Sequence, residues 1–416
     1  MTNDIQQHPQ KAKVKDEKTL TGVTVLEYAK FVAAPYCAKL LADLGAEAIK
    51  IEEPGKGDEA RRWGPFPGDM PHPEKSGLFL YLNTNKLGIT LNLNTNTGQE
   101  IFKRLLETAD ILVEDNPPRL AKELRLSYQA LKEINPRLIL TSITPFGQSG
   151  PYADYEAYYL NTYHGAMSGY LTPYGSSNPD REPLKVGGLA GEYCCGLSAA
   201  VATLGALYFQ QLSGQGQHVD VSKQEALIGL DRINAARYQN EGVNPTRLTP
   251  LHKMFRLTAC RDGYVALNLA EDHQWAGFAR LIGKPEWGED ERYRTLFRRL
   301  ENFEEVAPFI QEWFSLHTKE EIYHSAQKSG CPFTPARTAE GVVNSQQSKA
   351  RGFFTEIDHP EAGRFKYPTS PFLFSKTLRE IARPAPLLGE HNEEIYIKRL
   401  GYERGQLAEI AKAGVI

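Results

Sequence analysis

Residues 20–58 read LTGVTVLEYAKFVAAPYCAKLLADLGAEAIKIEEPGKGD, and this run constrains the fold more than any other. The apolar stretch from Val23 to Glu27 is strand-like and enters a turn. A helical pattern follows, with Leu40, Leu41 and Leu44 on one face and Gly45 closing it. A second strand spans Ala48 to Ile51 and ends in Glu52-Glu53-Pro54-Gly55. Strand, helix and strand with short joints make a βαβ unit, the opening of a parallel α/β sheet. The first turn lacks G-x-G-x-x-G, so the pyrophosphate cradle of dinucleotide-binding proteins is absent.

The alternation continues downstream. Strands are expected at 89–95 (ITLNLNT), 110–115 (DILVED) and 138–144 (LILTSIT), with helices at 97–108 and 127–134 between them. Helical crossovers between strands favour a parallel sheet. Residues 190–212 predict a core helix rich in Ala, Gly and Ser, which lets a neighbouring helix approach closely. From 225 the pattern changes. A strand at 261–270, a helix at 273–283 and a charged helical stretch at 292–327 suggest a smaller α/β domain. Pro-rich wording after 331 suggests extended chain wrapped over another surface. The expected organisation is a tail at 1–18, a large domain at 19–224, a small domain at 225–330 and a return to the large domain at 331–416.

A net charge of −3 over 416 residues gives no reason to expect nucleic acid or an acidic membrane as partner. No apolar run is expected to reach the roughly 20 residues that span a bilayer. The first 18 residues are polar and are expected to be disordered, with no signal-peptide pattern, so a cytoplasmic location is expected. Five cysteines without C-x-x-C and ten histidines without H-x-x-x-H argue against a disulfide framework and a metal site.

Several blocks, in order, carry a family resemblance. They are V-L-E…A-A-P…L-L-A-D-L-G-A-E…I-K-I-E at the start, LNTNK (82–86), INPRLILTSITPFGQSGPYAD (134–154), SGQGQHVDVSKQEAL (213–227) and RPAPLLGEHNEE near 390. From about residue 20 to 398 the chain resembles the family III CoA-transferases, also called the CaiB/BaiF or formyl-CoA transferase family. The resemblance implies a Rossmann-like large domain built from both chain ends plus a small α/β domain, with two chains interlocked as a dimer. It also implies transfer of CoA between carboxylic acids through an aspartate that forms mixed anhydrides with both acyl groups. Coenzyme A is then a substrate moiety, and no tightly bound cofactor is expected.

Three motifs depart from the family pattern. The nucleophilic aspartate is expected just after G-P-Y-A-D, and counting from either side places Tyr159 or Asn161 there. Neither is a carboxylate, so no catalytic residue is assigned; Glu156 is a weak substitute. Where the family reads V-E-N-F-R-P-G, this chain reads VEDNPPRLAK, with Pro117 in place of a CoA-pairing Arg and Arg119 two residues on. The turn after the first strand has Lys30, Val32 and Ala34 where some members carry His and Gln. Lys86, Arg119 and Lys30 are the expected CoA contacts. Tyr155, Tyr158, Tyr159, Tyr163, Tyr170 and Tyr174 either line an aromatic-accepting pocket or pack the core.

Intact scaffold wording with altered chemistry implies a non-catalytic subunit of a heteromeric enzyme. The succinyl-CoA:(R)-benzylsuccinate CoA-transferases of anaerobic aromatic degradation have such an aspartate-lacking subunit. The partner is then a paralogous catalytic subunit. The alternatives are a homodimeric transferase or racemase-like enzyme with an altered site, and a regulatory CoA-transferase-like protein without turnover.

Overall fold

The structure is a computed structural model and describes residues 18–173, 178, 180–247, 253–377 and 380–416. The expected tail, except Lys18, and Tyr174 lie outside the described residues. Six strands form one sheet in the order β3-β2-β1-β4-β5-β6. They are β1 (Thr24–Tyr28), β2 (Glu47–Glu52), β3 (Lys86–Thr90), β4 (Ile111–Glu114), β5 (Ile139–Thr144) and β6 (His218–Ser222). Every neighbouring pair is parallel. This is the doubly wound Rossmann order, and it reverses between β1 and β4, where such sheets bind ligands at their carboxyl ends.

Strand alternation divides the core between two faces. Val25, Ile111, Val113 and Ile139 pack on one side with α1 (Ala33–Asp43). Leu26, Leu112, Leu138 and Leu140 pack on the other with Ile101 and Phe102. Four further helices lie between strands: α2 (Gly77–Leu82), α3 (Asn96–Leu106), α4 (Pro118–Glu123) and α5 (Tyr128–Ile134). After β5 come α6 (Tyr159–Gly165), α7 (Ala190–Ser213) and, beyond β6, α8 (Lys223–Leu230). The third strand starts at Lys86 rather than Ile89 and ends at Thr90, so LNLNT is the entry to α3. Thr95 caps that helix, its hydroxyl accepting from Gly98 N.

Helix α7 is long and apolar enough, by length and composition, to cross a membrane, contrary to the expectation that no such run exists. Its inward face instead packs on α1, with Cys195, Ala199 and Ala200 in the same core as Ala34, Cys37 and Ala38. Gly196 permits this approach: a Cβ there would lie 2.4 Å from the Ala33 carbonyl oxygen.

The chain divides into two compact units. One comprises residues up to 169, 185–235 and 352–416; the other comprises 170–184 and 236–351. The second unit has an antiparallel sheet of β7 (Phe255–Cys260), β8 (Gly263–Asn268) and β9 (Thr334–Pro335), around a core of Trp275, Phe278, Phe314 and Phe333. Residues 331–351 fall in this unit because β9 pairs with β8. The strand expected at 261–270 is β8, the second arm of a hairpin whose first arm, β7, is largely uncovered, so its burial alternation is weak. In the first unit, the expected coil after 331 includes another hairpin, β10 (Phe354–His359) and β11 (Gly363–Pro368). All five cysteines are free, and burial pushes the Cys37 and Cys195 thiols up to about 12.

Candidate active site

The turn between β1 and α1 lies at the point where strand order reverses. Phe31 holds a φ of +67°, a left-handed conformation unusual for a bulky residue. Two carboxylates from neighbouring loops hold it. The Lys30 N–H donates to Asp115 Oδ2 at 3.0 Å, and the Phe31 N–H donates to Asp58 Oδ1 at 2.9 Å. The Phe31 ring meets Trp63 edge-on, with centroids 4.9 Å apart. Helix α1 then begins with no side-chain cap and no acidic residue in its first turn. Its free N–H groups give this turn affinity for an anion.

Asp58 does two jobs. Oδ1 also accepts from Ala60 N, while Oδ2 lies 2.7 Å from the Lys50 ammonium. Lys50 also bonds Glu27 Oε1 at 2.6 Å. Arg61 is gripped by Glu52 through both Nε and Nη2, at 2.7 and 2.8 Å. The charged letters of I-K-I-E…G-D…R thus form a buried, paired scaffold beneath the turn.

Lys86, expected at the CoA phosphate, belongs to this scaffold. As the first residue of β3 it pairs beside Ala48 and is fully buried. Its ammonium lies 2.6 Å from Glu27 Oε2 and donates to Pro35 O and Asn83 Oδ1, both at 2.8 Å. Burial lowers its pKa to about 8. No charge faces outward from this position.

Lys30, on the loop that leaves β1, and Arg119, in the first turn of α4, are both exposed. Among the described residues, the Arg119 guanidinium pairs with Glu123, one turn on, at 3.1 Å. Such a surface pair contributes about 0.3–0.5 kcal/mol, so a phosphate can displace it. Pro117 is the N-cap of α4, with Pro118 opening the helix. Asp154 accepts from Arg119 N at 2.9 Å and so anchors the start of α4.

The positions counted for the nucleophile are packing and capping residues in this structure. Tyr159 is buried, and its hydroxyl accepts from Gly191 N at 3.2 Å. Burial raises its pKa. Asn161 caps its own helix, its Oδ1 accepting from Tyr158 N at 2.9 Å. Glu156 is exposed. Of the tyrosines, Tyr159 and Tyr163 are core residues, whereas Tyr155, Tyr158 and Tyr170 are exposed.

Two features escaped the sequence reading. Asp115 is half-buried beside the β1–α1 turn, and burial raises its pKa to about 6. Lys223, itself paired with Glu192 at 2.8 Å, lies close enough to pull in the opposite direction. Further along the sheet, Glu114, Ser142 and Asp220 occupy one register across β4, β5 and β6. They line a cleft of about 530 Å³ with His218 and Tyr128. Ser142 Oγ lies 2.9 Å from His218 Nε2, and burial raises Glu114 to about 7. The VED run and the polar alternation of HVDVS were the available signals. Among the described residues no group of His, Cys, Asp and Glu is arranged to hold a metal.

Comparison with known proteins places this geometry. Residues 20–392 match CoA-transferase family III. The human succinyl-CoA:glutarate CoA-transferase is 30% identical over 403 residues, covering 96% of this chain and 90% of that protein. The succinyl-CoA–D-citramalate CoA-transferase of Chloroflexus aurantiacus is 32% identical over 405 residues, covering 96% and 98%. The crystal structure of a CaiB/BaiF family protein from Brucella suis superposes with a TM-score of 0.80 at 30% identity, covering 92% of this chain and all of that one. With the strand order and the near-complete coverage agreeing, the chain belongs to CoA-transferase family III.

Proposed function

We propose that this chain is the non-catalytic subunit of a heteromeric, cytoplasmic CoA-transferase that moves CoA from succinyl-CoA to a carboxylic acid such as (R)-benzylsuccinate. The observation that carries the reading is the fate of the nucleophile position. Tyr159 is buried and bonded to the start of α7, and Asn161 caps α6. Neither presents a carboxylate to a thioester. The paralogous partner supplies an aspartate that attacks the thioester carbonyl. The C–S bond breaks and CoA thiolate leaves. The thiolate then attacks the aspartyl carbonyl of the anhydride, releasing succinate and leaving an aspartyl-CoA thioester. The acceptor carboxylate attacks that thioester, expelling CoA thiolate and forming a second mixed anhydride, and the thiolate takes the acceptor acyl carbon and frees the aspartate.

The outer face of α7 supports a large partner surface. Leu197, Val201, Tyr208 and Leu212 are all more than half exposed on it. An apolar helix face of this length needs cover. An interlocked paralogue would provide it.

One observation favours a second reading, an active homodimer with a displaced nucleophile. Asp115 is a carboxylate beside the β1–α1 turn. A single experiment separates the two. The chain is purified alone and with a co-expressed paralogue, and CoA transfer from succinyl-CoA is measured. Turnover only in the co-purified pair is expected. Turnover by the pure chain that is lost in Asp115→Asn or Glu156→Gln would overturn the subunit reading and identify the substitute.

A further inference from the structure

A second concavity lies in the first unit, away from the crevice. Residues 65–67, helix α2 and strand β11 enclose a groove of about 380 Å³. That volume is within the range of small-molecule sites. Its walls include Phe66, Leu80, Tyr81 and Tyr367, with Lys75 and Lys366 as the two charged residues. It shares no lining residue with the pocket at the β1–α1 turn or with the Glu114–His218 cleft.

The groove is a built feature. Leu80 and Tyr367 are nearly fully buried, so they form a fixed floor. Gly77 N donates to Pro65 O at 2.8 Å, tying the start of α2 to the loop opposite. Ser76 locks the same joint, capping α2 and bonding Ala60 O and Trp63 O. The Tyr81 ring stacks on Tyr36, with centroids 6.4 Å apart, and meets Tyr193 edge-on at 6.1 Å, which fixes it as a wall. Among the described residues, neither Lys75, which is half-buried, nor Lys366, which is exposed, belongs to an ion pair. Two unpaired ammonium groups beside an aromatic floor match one ligand chemistry: an apolar, preferably aromatic, body that carries an anionic head.

We propose that this groove binds a small arylalkyl carboxylate, with the ring on Phe66, Tyr81 and Tyr367 and the carboxylate between Lys75 and Lys366. The site is separate from the acyl-transfer crevice and does not rest on which subunit is catalytic. A lone charge without the apolar body lacks the floor contacts, and a neutral aromatic lacks the charge-assisted hydrogen bonds.

The test uses the full chain, with its partner if it purifies with one. Binding of 3-phenylpropanoate, 3-phenylpropanamide and inorganic phosphate is measured by calorimetry. Hydrogen-exchange protection locates the bound acid. Saturable binding of the acid is expected, with protection at 65–81 and 363–368. The amide should bind about tenfold more weakly, and phosphate should not protect these segments. The double substitution Lys75→Gln with Lys366→Gln should raise Kd about tenfold while the thermal melt is unchanged. No saturation by 10 mM acid (roughly the limit of specific binding), equal binding of acid and amide, protection elsewhere, or indifference to the lysine pair would each overturn the proposal.

Discussion

Lys50 and Asp58 meet at 2.7 Å with neither side chain exposed to water. Because Asp58 also holds Phe31 N, this interior ion pair fixes the backbone of the candidate active turn. The order in I-K-I-E…G-D therefore serves the site indirectly. Lys50 anchors Asp58, and Asp58 anchors the left-handed Phe31.

Asp58→Ala should be among the costliest single changes in the chain. It removes a partner of Lys50 and the acceptor for two backbone N–H groups. Breaking a buried pair from one side costs about 3–5 kcal/mol. Urea unfolding read by fluorescence measures this. A loss below about 1 kcal/mol, the scale of an exposed pair, would show that the network is not rigid.

Two glycines on α7 should respond in opposite directions to alanine. At Gly196 the new methyl would lie 2.4 Å from Ala33 O, a backbone atom that cannot yield without shifting α1. Gly196→Ala should destabilise by about 1–3 kcal/mol. At Gly205 nothing lies within 4 Å, so Gly205→Ala should stabilise by up to about 1 kcal/mol. Equal melting temperatures for the two variants would contradict the helix–helix contact.

Glu114 gives a pH signature. Burial raises its pKa from 4.5 to about 7, so between these values the folded state holds the proton more tightly. Its contribution is fully present below 4.5 and is lost as pH rises through 7. Glu114→Gln mimics the protonated form. It should be nearly neutral at pH 4.5 and stabilising by about 2–3 kcal/mol at pH 8. A difference that does not change with pH would mean that Glu114 titrates normally.

On the proposed subunit reading, coenzyme A should bind one site per heterodimer, in the partner's half. Pro117, three residues past β4, offers neither charge nor N–H, and the guanidinium of Arg119 is held by Glu123. Pro117→Arg should raise this chain's own affinity about tenfold to a hundredfold, because a charge-assisted bond contributes roughly 1.5–3 kcal/mol. Calorimetry giving two equivalent sites in the unmodified pair would refute this.

The parallel sheet was readable because its strands are almost continuously apolar and its helices are amphipathic. Hidden from that reading was anything that depended on which side of a strand boundary a residue falls. Lys86 belongs to an asparagine-rich run, N-T-N-K, that looks like a turn. Only the pairing of β3 with β2 turns it inward to Glu27. Asp115 was passed over because a carboxylate at the end of VED resembles an ordinary loop entry. The crossover order that puts it beside Lys30 is a long-range property. Strand β7 was missed because little of it is covered, which removes the alternation that pattern reading relies on.

The free edge of β3 is closed by a distant piece of chain. Gly88 exchanges two hydrogen bonds with His391, 303 residues downstream, and Thr90 N donates to Asn392 Oδ1. Tyr396 adds a third lock, its hydroxyl donating to Thr90 O. A ribosome makes β3 long before it makes this seal. Through most of synthesis the nascent sheet therefore carries a bare, apolar edge strand, which is a template for pairing with other chains. A product that stops short of Tyr396 keeps that edge bare, and is expected to aggregate more readily than the full chain.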